Sequence, residues 1–496
     1  MDFSLLAKHA EMRRDVLFVS VGHSGQFNPL LAIAKAFHRQ YPAIPVTFAT
    51  SLDLSSVIER AGLRFLPVWE SSKLPQDLAL LFNKCGIRSI DVMKSYALWA
   101  RSEEMFGFPR KMLANWMEDN RPSVAIVDVC TEAGMSAAID TNTRYIVNSP
   151  CPPYTSFPDS LPAVFPPVGS GTSLYKTSIW HRIYDLAVGA RYGYGLVKEV
   201  IPIIKEQEAR GIHQPGTLAN KSELFFNATS EKLSDTRVQF PENKLMWIGA
   251  SLDDEVSSLT QASHFERVWN AAREGDTKGF YSWIDNAATS GKPIVFVALG
   301  TLYQLDKPRV DAMYRALSNL PIKVLWKLSQ KEQEHLPQEA FENDDLHIES
   351  WIPSLPLVLA HPKVKLFVNH GGGNSLHEGL FFGKPMVCLP AWMDCFDFAM
   401  RCQDAGAGIA ITTAPRLDKQ EFQNAVRHVL LDKDSEKFTI KACEVAADLQ
   451  ALGGASKAAR EIKRVLDQKQ IKMPVAKVEQ VTTQRNVLSV MTLPPC

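Results

Sequence analysis

Residues 351–397 read WIPSLPLVLAHPKVKLFVNHGGGNSLHEGLFFGKPMVCLPAWMDCFD, and the fold of the whole chain turns on this stretch. The apolar residues Val364, Leu366, Phe367 and Val368 stop abruptly at Asn-His-Gly-Gly-Gly, as a buried strand feeding a tight turn does. A new helix is expected to open at Asn374 and Ser375, followed by a second strand that leads to Asp394. Glycine in such a turn lets the backbone approach a ligand closely, since no Cβ intervenes. The first amides of a helix are unpaired and carry the positive end of its dipole, so an anion above Gly373, Asn374 and Ser375 would be stabilised. His370 adds a donor on the same rim.

Outward from this stretch the same alternation recurs on both sides. In the first half, apolar runs at 16–21, 46–50, 124–127 and 145–148 read as strands. Pro29 is expected to open an amphipathic helix through Leu30, Leu31, Ile33, Ala34 and Phe37, because proline suits the first helical position. A helix of small residues is expected from Glu132 to about Ile139. The pattern lapses at 150–215, which is rich in proline and aromatics and either lines a cleft or simply packs. It resumes at 223–227 and 244–248. The polar stretch 251–278 reads as a linker with a mobile insertion. Strands at 293–299 and 323–327 flank a helix at 310–320, and 419–468 reads as helical with a break at Gly453-Gly454. Two doubly wound α/β domains facing across a cleft are expected, with boundaries at 1–250, a linker at 251–280, 281–470 and a tail at 471–496.

Composition narrows the function. The chain has 496 residues, 46% of them hydrophobic and 22% charged, which is the make-up of a globular protein of two or more domains. Lysine plus arginine equals aspartate plus glutamate at 54 each, leaving no basic surplus to neutralise a nucleic-acid backbone. No apolar run reaches the roughly 18 residues of a spanning helix. The first residues mix acids and bases where a signal peptide needs an apolar core. The eight cysteines are scattered without a CxxC, so a reducing, cytoplasmic setting is expected. Asn227-Ala-Thr229 has the form of a glycosylation acceptor, which would carry no meaning there.

Candidate chemistry falls at strand ends. His23 lies just after the first apolar run and Asp128 ends another, so both sit at the carboxyl edge where open α/β sheets bind ligands. A carboxylate bonded to an imidazole would fix its tautomer and stabilise the cation formed when it takes a proton. A lone histidine is as often structural as catalytic. A tryptophan such as Trp351 is, by itself, more often core than ligand platform, and Glu378 or Asp394 alone reads as an ordinary helix-start or loop charge. The only DxD, Asp432-Lys-Asp434, follows a helix and reads as solvated charge.

Trp351-Ile-Pro, His370-Gly-Gly-Gly-Asn-Ser-Leu-His-Glu378 and Pro390-Ala-Trp-Met-Asp394 together resemble the signature of inverting family 1 UDP-glycosyltransferases. The resemblance extends to Gly22-His23, Asn28-Pro29, Asn227-Ala-Thr-Ser-Glu231 and Ala298-Leu-Gly-Thr301. It implies a GT-B fold and transfer of a sugar, by default glucose, from a UDP-sugar to a hydroxyl or carboxyl of a lipophilic small molecule such as a terpenoid, polyketide, sterol or phenol, in natural-product metabolism. On this resemblance Trp351 and Ile352 would meet uracil. Thr301, His370, Gly372, Gly373, Asn374 and Ser375 would hold the diphosphate, and Glu378 the ribose. Asp394 and Cys395 would touch the sugar. His23, supported by Asp128, would be the general base, and Phe27, Tyr154 and Trp392 would line the acceptor site. No metal and no cofactor besides the UDP-sugar co-substrate is implied, and a monomer without a membrane span is expected.

The chain departs from the plant pattern at Ser354 and Cys395, where glutamine is usual, and at Gly373, where tryptophan is. A thiol cannot replace an amide's donor and acceptor, so UDP-xylose or UDP-glucuronate stays open as donor. Alternatives of other classes are a GT-B epimerase acting on the nucleotide sugar alone and a non-catalytic UDP-sugar-binding subunit.

Overall fold

The computed structural model describes residues 15–73, 94, 98–151, 169–173, 175, 178–212, 215–234, 244–277, 279–414 and 416–468. Tyr154 and the tail at 471–496 lie outside the described residues.

Seven strands form the first sheet: β1 (Val16–Val19), β2 (Val46–Ser51), β3 (Arg64–Trp69), β4 (Val124–Asp128), β5 (Tyr145–Ser149), β6 (Leu224–Asn227) and β7 (Leu245–Trp247). Their order is β3-β2-β1-β4-β5-β6-β7, every pair parallel. The second sheet has β8 (Ile294–Ala298), β9 (Lys323–Lys327), β10 (Leu346–Glu349), β11 (Val364–Asn369), β12 (Met386–Cys388) and β13 (Gly408–Ala410). It runs β10-β9-β8-β11-β12-β13, again all parallel. Both orders reverse beside their first strand, so each sheet has a topological switch point: between β1 and β4, and between β8 and β11.

The apolar runs are continuous because both faces of each sheet are covered. Val16, Phe18, Val124 and Ile126 enter one core cluster of the first domain, while Leu17, Val19, Ala125 and Val127 enter the other. In β8, Val295 and Val297 face one cluster of the second domain, and Ile294, Phe296 and Ala298 face the next.

Four expectations are corrected. The helix expected from Pro29 begins at Ser24 and runs to Gln40, with Pro29 inside it and His23 as its N-cap residue. Its first turn closes on the amides of Gln26 and Phe27, which donate to the His23 carbonyl at 2.9 and 2.7 Å. Phe27 therefore falls on the inner face, 4% exposed and edge-on to Phe48 at 5.6 Å; it is a core residue and not an acceptor contact.

The polar stretch at 251–278 is not a mobile insertion. It contains the helix Ala262–Glu274, whose Trp269 is buried against Tyr281 and His361 in the second domain's core. Its spacing of Phe265, Val268, Trp269 and Ala272 is that of an amphipathic helix.

The last helix, Gly454–Asp467, leaves the second domain. Ala455, Ala458, Ala459 and Ile462 pack into the first domain's core beside Ile33 and Phe37. Gly453 and Gly454, at φ 85° and 53°, make the turn that redirects the chain. Asp394, expected at a strand end, sits instead in the first turn of the helix Met393–Asp404. Within 150–215, the helix Ile179–Gly195 exposes Ile179, Trp180, Leu186 and Tyr194. No helix among the described residues is long and apolar enough to cross a membrane.

Candidate functional site

The second domain's switch point builds a slot for one imidazole. Asn369, the last residue of β11, accepts the Gly371 amide on Oδ1 at 2.8 Å, which folds the glycine turn back on itself. Gly371 takes φ 77° there, and a Cβ would meet the Cys395 carbonyl at 2.5 Å. The His370 ring lies between two glycine backbones: a Cβ on Gly300 would come within 2.7 Å of its Cε1, and one on Gly372 would strike Nε2. His370 also lies 5.8 Å from the Trp392 ring. Burial, reinforced by the Lys327 charge, pulls its imidazole down to about 4, so it is neutral at physiological pH and carries a single N–H.

Beside this slot a cavity of about 680 Å³ opens over the ends of β8 and β9, lined by Thr301, Lys327, Arg309, Lys331 and Trp351 among others. Trp351 is 67% exposed, which excludes a core role, and the Lys327 ammonium lies 5.3 Å from its ring centre. The side chain of Ile352 is buried in the core, so only its backbone could touch a ligand. Ser354 caps the helix Leu355–Ala360 by accepting the Leu357 amide at 3.2 Å.

The helix Gly373–Phe381 begins at the turn, and with it the second domain meets the first. Asn374 Nδ2 donates to the Ser24 carbonyl at 3.2 Å, one residue from His23. A Cβ on Gly373 would lie 3.1 Å from the Pro150 carbonyl. Further along, His377 Nε2 and Thr229 Oγ1 share a buried hydrogen bond of 2.7 Å. Asn374 and Glu378 line a separate cavity of about 210 Å³ between the domains, with Pro29, Lys35 and Asp253. Glu378 is pushed up to about 7 by burial. Thr301 and Trp351 thus open to one cavity, Asn374 and Glu378 to another, with His370 and the glycine turn between them.

Asp394 is buried, its Oδ1 unpartnered, and burial with the Asp397 charge raises it to about 7. Cys395 and Trp392 are core residues of the second domain, clustered with Tyr303. The Cys395 thiol is 1% exposed and lines neither of these two cavities, and the Trp392 ring, 6% exposed, packs beside His370 and Tyr303.

At the first domain's switch point His23 and Asp128 reach the same edge but do not bond. Asp128 Oδ1 accepts from the Cys130 amide at 2.8 Å and the Thr131 hydroxyl at 3.3 Å, while Oδ2, fully buried, has no partner. Thr131 Oγ1 in turn accepts the Val21 amide at 3.0 Å, so the coupling of the two candidates runs through Thr131. Burial raises Asp128 to about 7 and lowers His23 to about 4, although the His23 ring keeps some exposure.

Lys327, Thr131 and Trp99 were missed in the sequence. Lys327 ends a strand at the ligand edge, a signal of the same kind that singled out Asp128. Trp99 and Thr131 carry no motif, and only the fold brings them to His23. His428, Asp432 and Asp434 have donor atoms within 4.8 Å of one another, but Asp434 is exposed and paired with Lys437, and His428 with Asp432 at 2.9 Å.

Comparison with known proteins fits this geometry. Residues 271–448 match the family model described as UDP-glucoronosyl and UDP-glucosyl transferase. UDP-glucuronosyltransferase 3A2 of Mus musculus is 27% identical over 282 residues, 55% of this chain and 49% of the relative. UDP-glycosyltransferase 74C1 of Arabidopsis thaliana is 36% identical over 208 residues, 38% of this chain and 42% of the relative. The chain thus spans about half or less of the curated relatives it matches. Os79 from O. sativa, solved in complex with UDP, shares the fold with a TM-score of 0.66 at 16% identity, over 90% of this chain and 100% of that one. Residues 271–448 are thus similar to the UDP-glucuronosyl and UDP-glucosyl transferases, and the two parallel-sheet domains share the GT-B fold of the structural neighbours.

Proposed function

We propose that the chain is an inverting UDP-dependent glycosyltransferase acting on a lipophilic small molecule. The observation that carries this reading is the hydrogen bond from Asn374 to Ser24, which joins the start of the anion-favouring helix to the residue after His23. A donor held at the glycine turn and an acceptor held at His23 would then share one seam between the domains.

In the proposed step His23 takes the proton of the acceptor hydroxyl, and the oxygen attacks the anomeric carbon. The bond from that carbon to UDP breaks, and its electron pair leaves on the β-phosphate oxygen. His370 and the first amides of the Gly373 helix stabilise that charge as it develops. Trp351 stacks on uracil, Lys327 and Thr301 face the diphosphate, and the unpartnered Oδ1 of Asp394 accepts a sugar hydroxyl. Asp128 acts at one remove, by fixing Thr131 and the chain at Val21. No metal is needed on this reading, since the amides, His370 and Lys327 answer the leaving charge.

UDP-glucose is the default donor, and the buried thiol at Cys395 leaves UDP-xylose and UDP-glucuronate in the test set. Incubation with a panel of UDP-sugars and hydroxylated lipophiles, read by mass shift, tests the reading; no shift with any pair would overturn it. His23→Ala should nearly abolish transfer and leave UDP affinity within about threefold, because on this reading the neutral imidazole bonds the acceptor and not the nucleotide. Unchanged turnover would remove His23 from the mechanism.

A further inference from the structure

A general base must present a nitrogen lone pair to the acceptor, and that lone pair lies in the plane of the imidazole. Something has to fix that plane. The expected orienter, Asp128, makes no hydrogen bond to the ring: its Oδ1 accepts from Cys130 and Thr131, and its Oδ2 has no partner. Trp99 does touch it: the two ring centres are 5.5 Å apart and their planes 22° from parallel. Stacking covers a face of the imidazole and leaves both nitrogens at the edge accessible.

We propose that Trp99 is the positioning residue for His23, holding the imidazole plane by stacking while the second domain backs the indole. This rests on His23 being the base. Trp99 and Ala100 pack against the second domain's core cluster that contains Tyr303, Trp392 and Cys395. The indole therefore stands between the base on one domain and the core beneath the donor site on the other. Behind the stack, Trp69, Met105 and Glu132 close off a cavity of only about 10 Å³, room for one water at most, so an acceptor cannot enter from that flank.

The charges around the ring agree with this. The titratable groups nearby are Asp128, Cys130 and Glu132 after β4, with Arg101 two residues beyond Trp99. Glu132 pairs with Arg101 at 3.2 Å, both buried. Burial alone accounts for the depressed His23 pKa, with no carboxylate raising it. The indole supplies part of that burial.

The test is titration of the full chain labelled with [13C]histidine, the His23 signal being assigned by its loss in His23→Ala. In the wild type it should titrate near pH 4. Trp99→Ala should move its midpoint up by about one pH unit or more as the ring hydrates, while Trp99→Phe, which keeps a stacking face, should stay within about half a unit. With whichever substrate pair the mass-shift panel identifies, Trp99→Ala should lower kcat about tenfold and leave the KM for the UDP-sugar within about threefold. An unmoved His23 midpoint in folded Trp99→Ala, or equal midpoints in the Ala and Phe variants, would overturn the proposal. If His23→Ala turns over normally, the assignment of the base fails; if it is inactive while Trp99→Ala is normal in midpoint and kcat, only the role of Trp99 fails.

Discussion

Replacing Gly300 by alanine tests whether the His370 slot sets UDP affinity. Gly300 has φ 81°, and the new methyl would lie 2.7, 3.1 and 3.2 Å from Cε1, Nε2 and Nδ1 of His370. Ordinary carbon contacts begin near 3.4 Å, so the ring must move by about 0.7 Å. Gly372 is close to the same ring edge, since a Cβ there would lie 2.4 Å from Nε2, so the room for adjustment is small. The imidazole has to rotate out of the slot and lose its aim at the diphosphate. A hydrogen bond to a charged group contributes about 1.5–3 kcal/mol, so UDP should bind roughly tenfold to 150-fold more weakly. Left-handed backbone strain adds about 1–2 kcal/mol of instability that has nothing to do with binding. Gly291→Ala separates the two effects, since Gly291 has φ 77° with nothing within 4 Å of its Cβ position. Both variants should melt lower, yet only Gly300→Ala should lose affinity in calorimetric titration with UDP. If folded Gly300→Ala binds UDP within about threefold of wild type, the slot does not aim His370 at the nucleotide.

Three further outcomes follow from the same geometry. Trp269→Ala should cost about 3–5 kcal/mol in urea unfolding, because it empties a buried site in the second core; a loss under about 1 kcal/mol would restore the mobile-insertion view. Asp394→Asn should raise the KM for the UDP-sugar about tenfold while UDP itself binds as before, since on the proposed reading the orphaned oxygen accepts from the sugar and not the nucleotide; equal losses for both would misplace it. His377, lowered to about 4 by burial, stays neutral in the fold, so its contribution is present above its ordinary 6.5 and lost as pH falls toward 4. The stability gap between wild type and His377→Gln should therefore narrow from pH 7 to pH 4.5 in urea titrations, whereas the raised carboxylates Asp128, Glu378 and Asp394 are common to both proteins and cancel.

The central strands were legible because they are buried on both faces, so β1, β4 and β8 appear as apolar runs; β3, β10 and β13, out toward the sheet edges, left no such run and were not read. The glycine turn was legible because Gly371 must take positive φ and Gly372 must admit a ring. What failed has one physical origin: local signals that the tertiary structure overrode. Ser24-Gly25-Gln26 looks like loop, and proline at position 29 looks like a helix start. The helix nevertheless begins at Ser24, at the cost of the one amide bond that Pro29 would have made to exposed Gly25. That single shift moved Phe27 from loop to core. At 251–278 the charges masked a four-residue apolar stripe that becomes visible only once Trp269 is seen against His361. The His23–Asp128 pairing was inferred from a shared sheet edge, which is correct, but an edge does not fix a hydrogen bond when Thr131 stands between.

The two histidines carry opposite proposed tasks from the same starting condition, and their surroundings explain how. Burial holds both near 4, so both enter the reaction neutral. His370 keeps a cation, Lys327, at its side and a helix start beside it, so the local field favours incoming negative charge. His23 is shifted by burial alone and has an aromatic face against it. A base that weak gains strength only when its cation is stabilised, and the resident carboxylate, Asp128, is itself half-protonated near 7 and bonded away. Glu132, the other carboxylate near the ring, is paired with Arg101, so on the proposed reading the negative charge would come from the diphosphate of the donor, held at the seam that the Asn374–Ser24 contact closes. On this reasoning His23 becomes an effective base only with the donor in place, which protects the site from deprotonating an acceptor that has no sugar to receive.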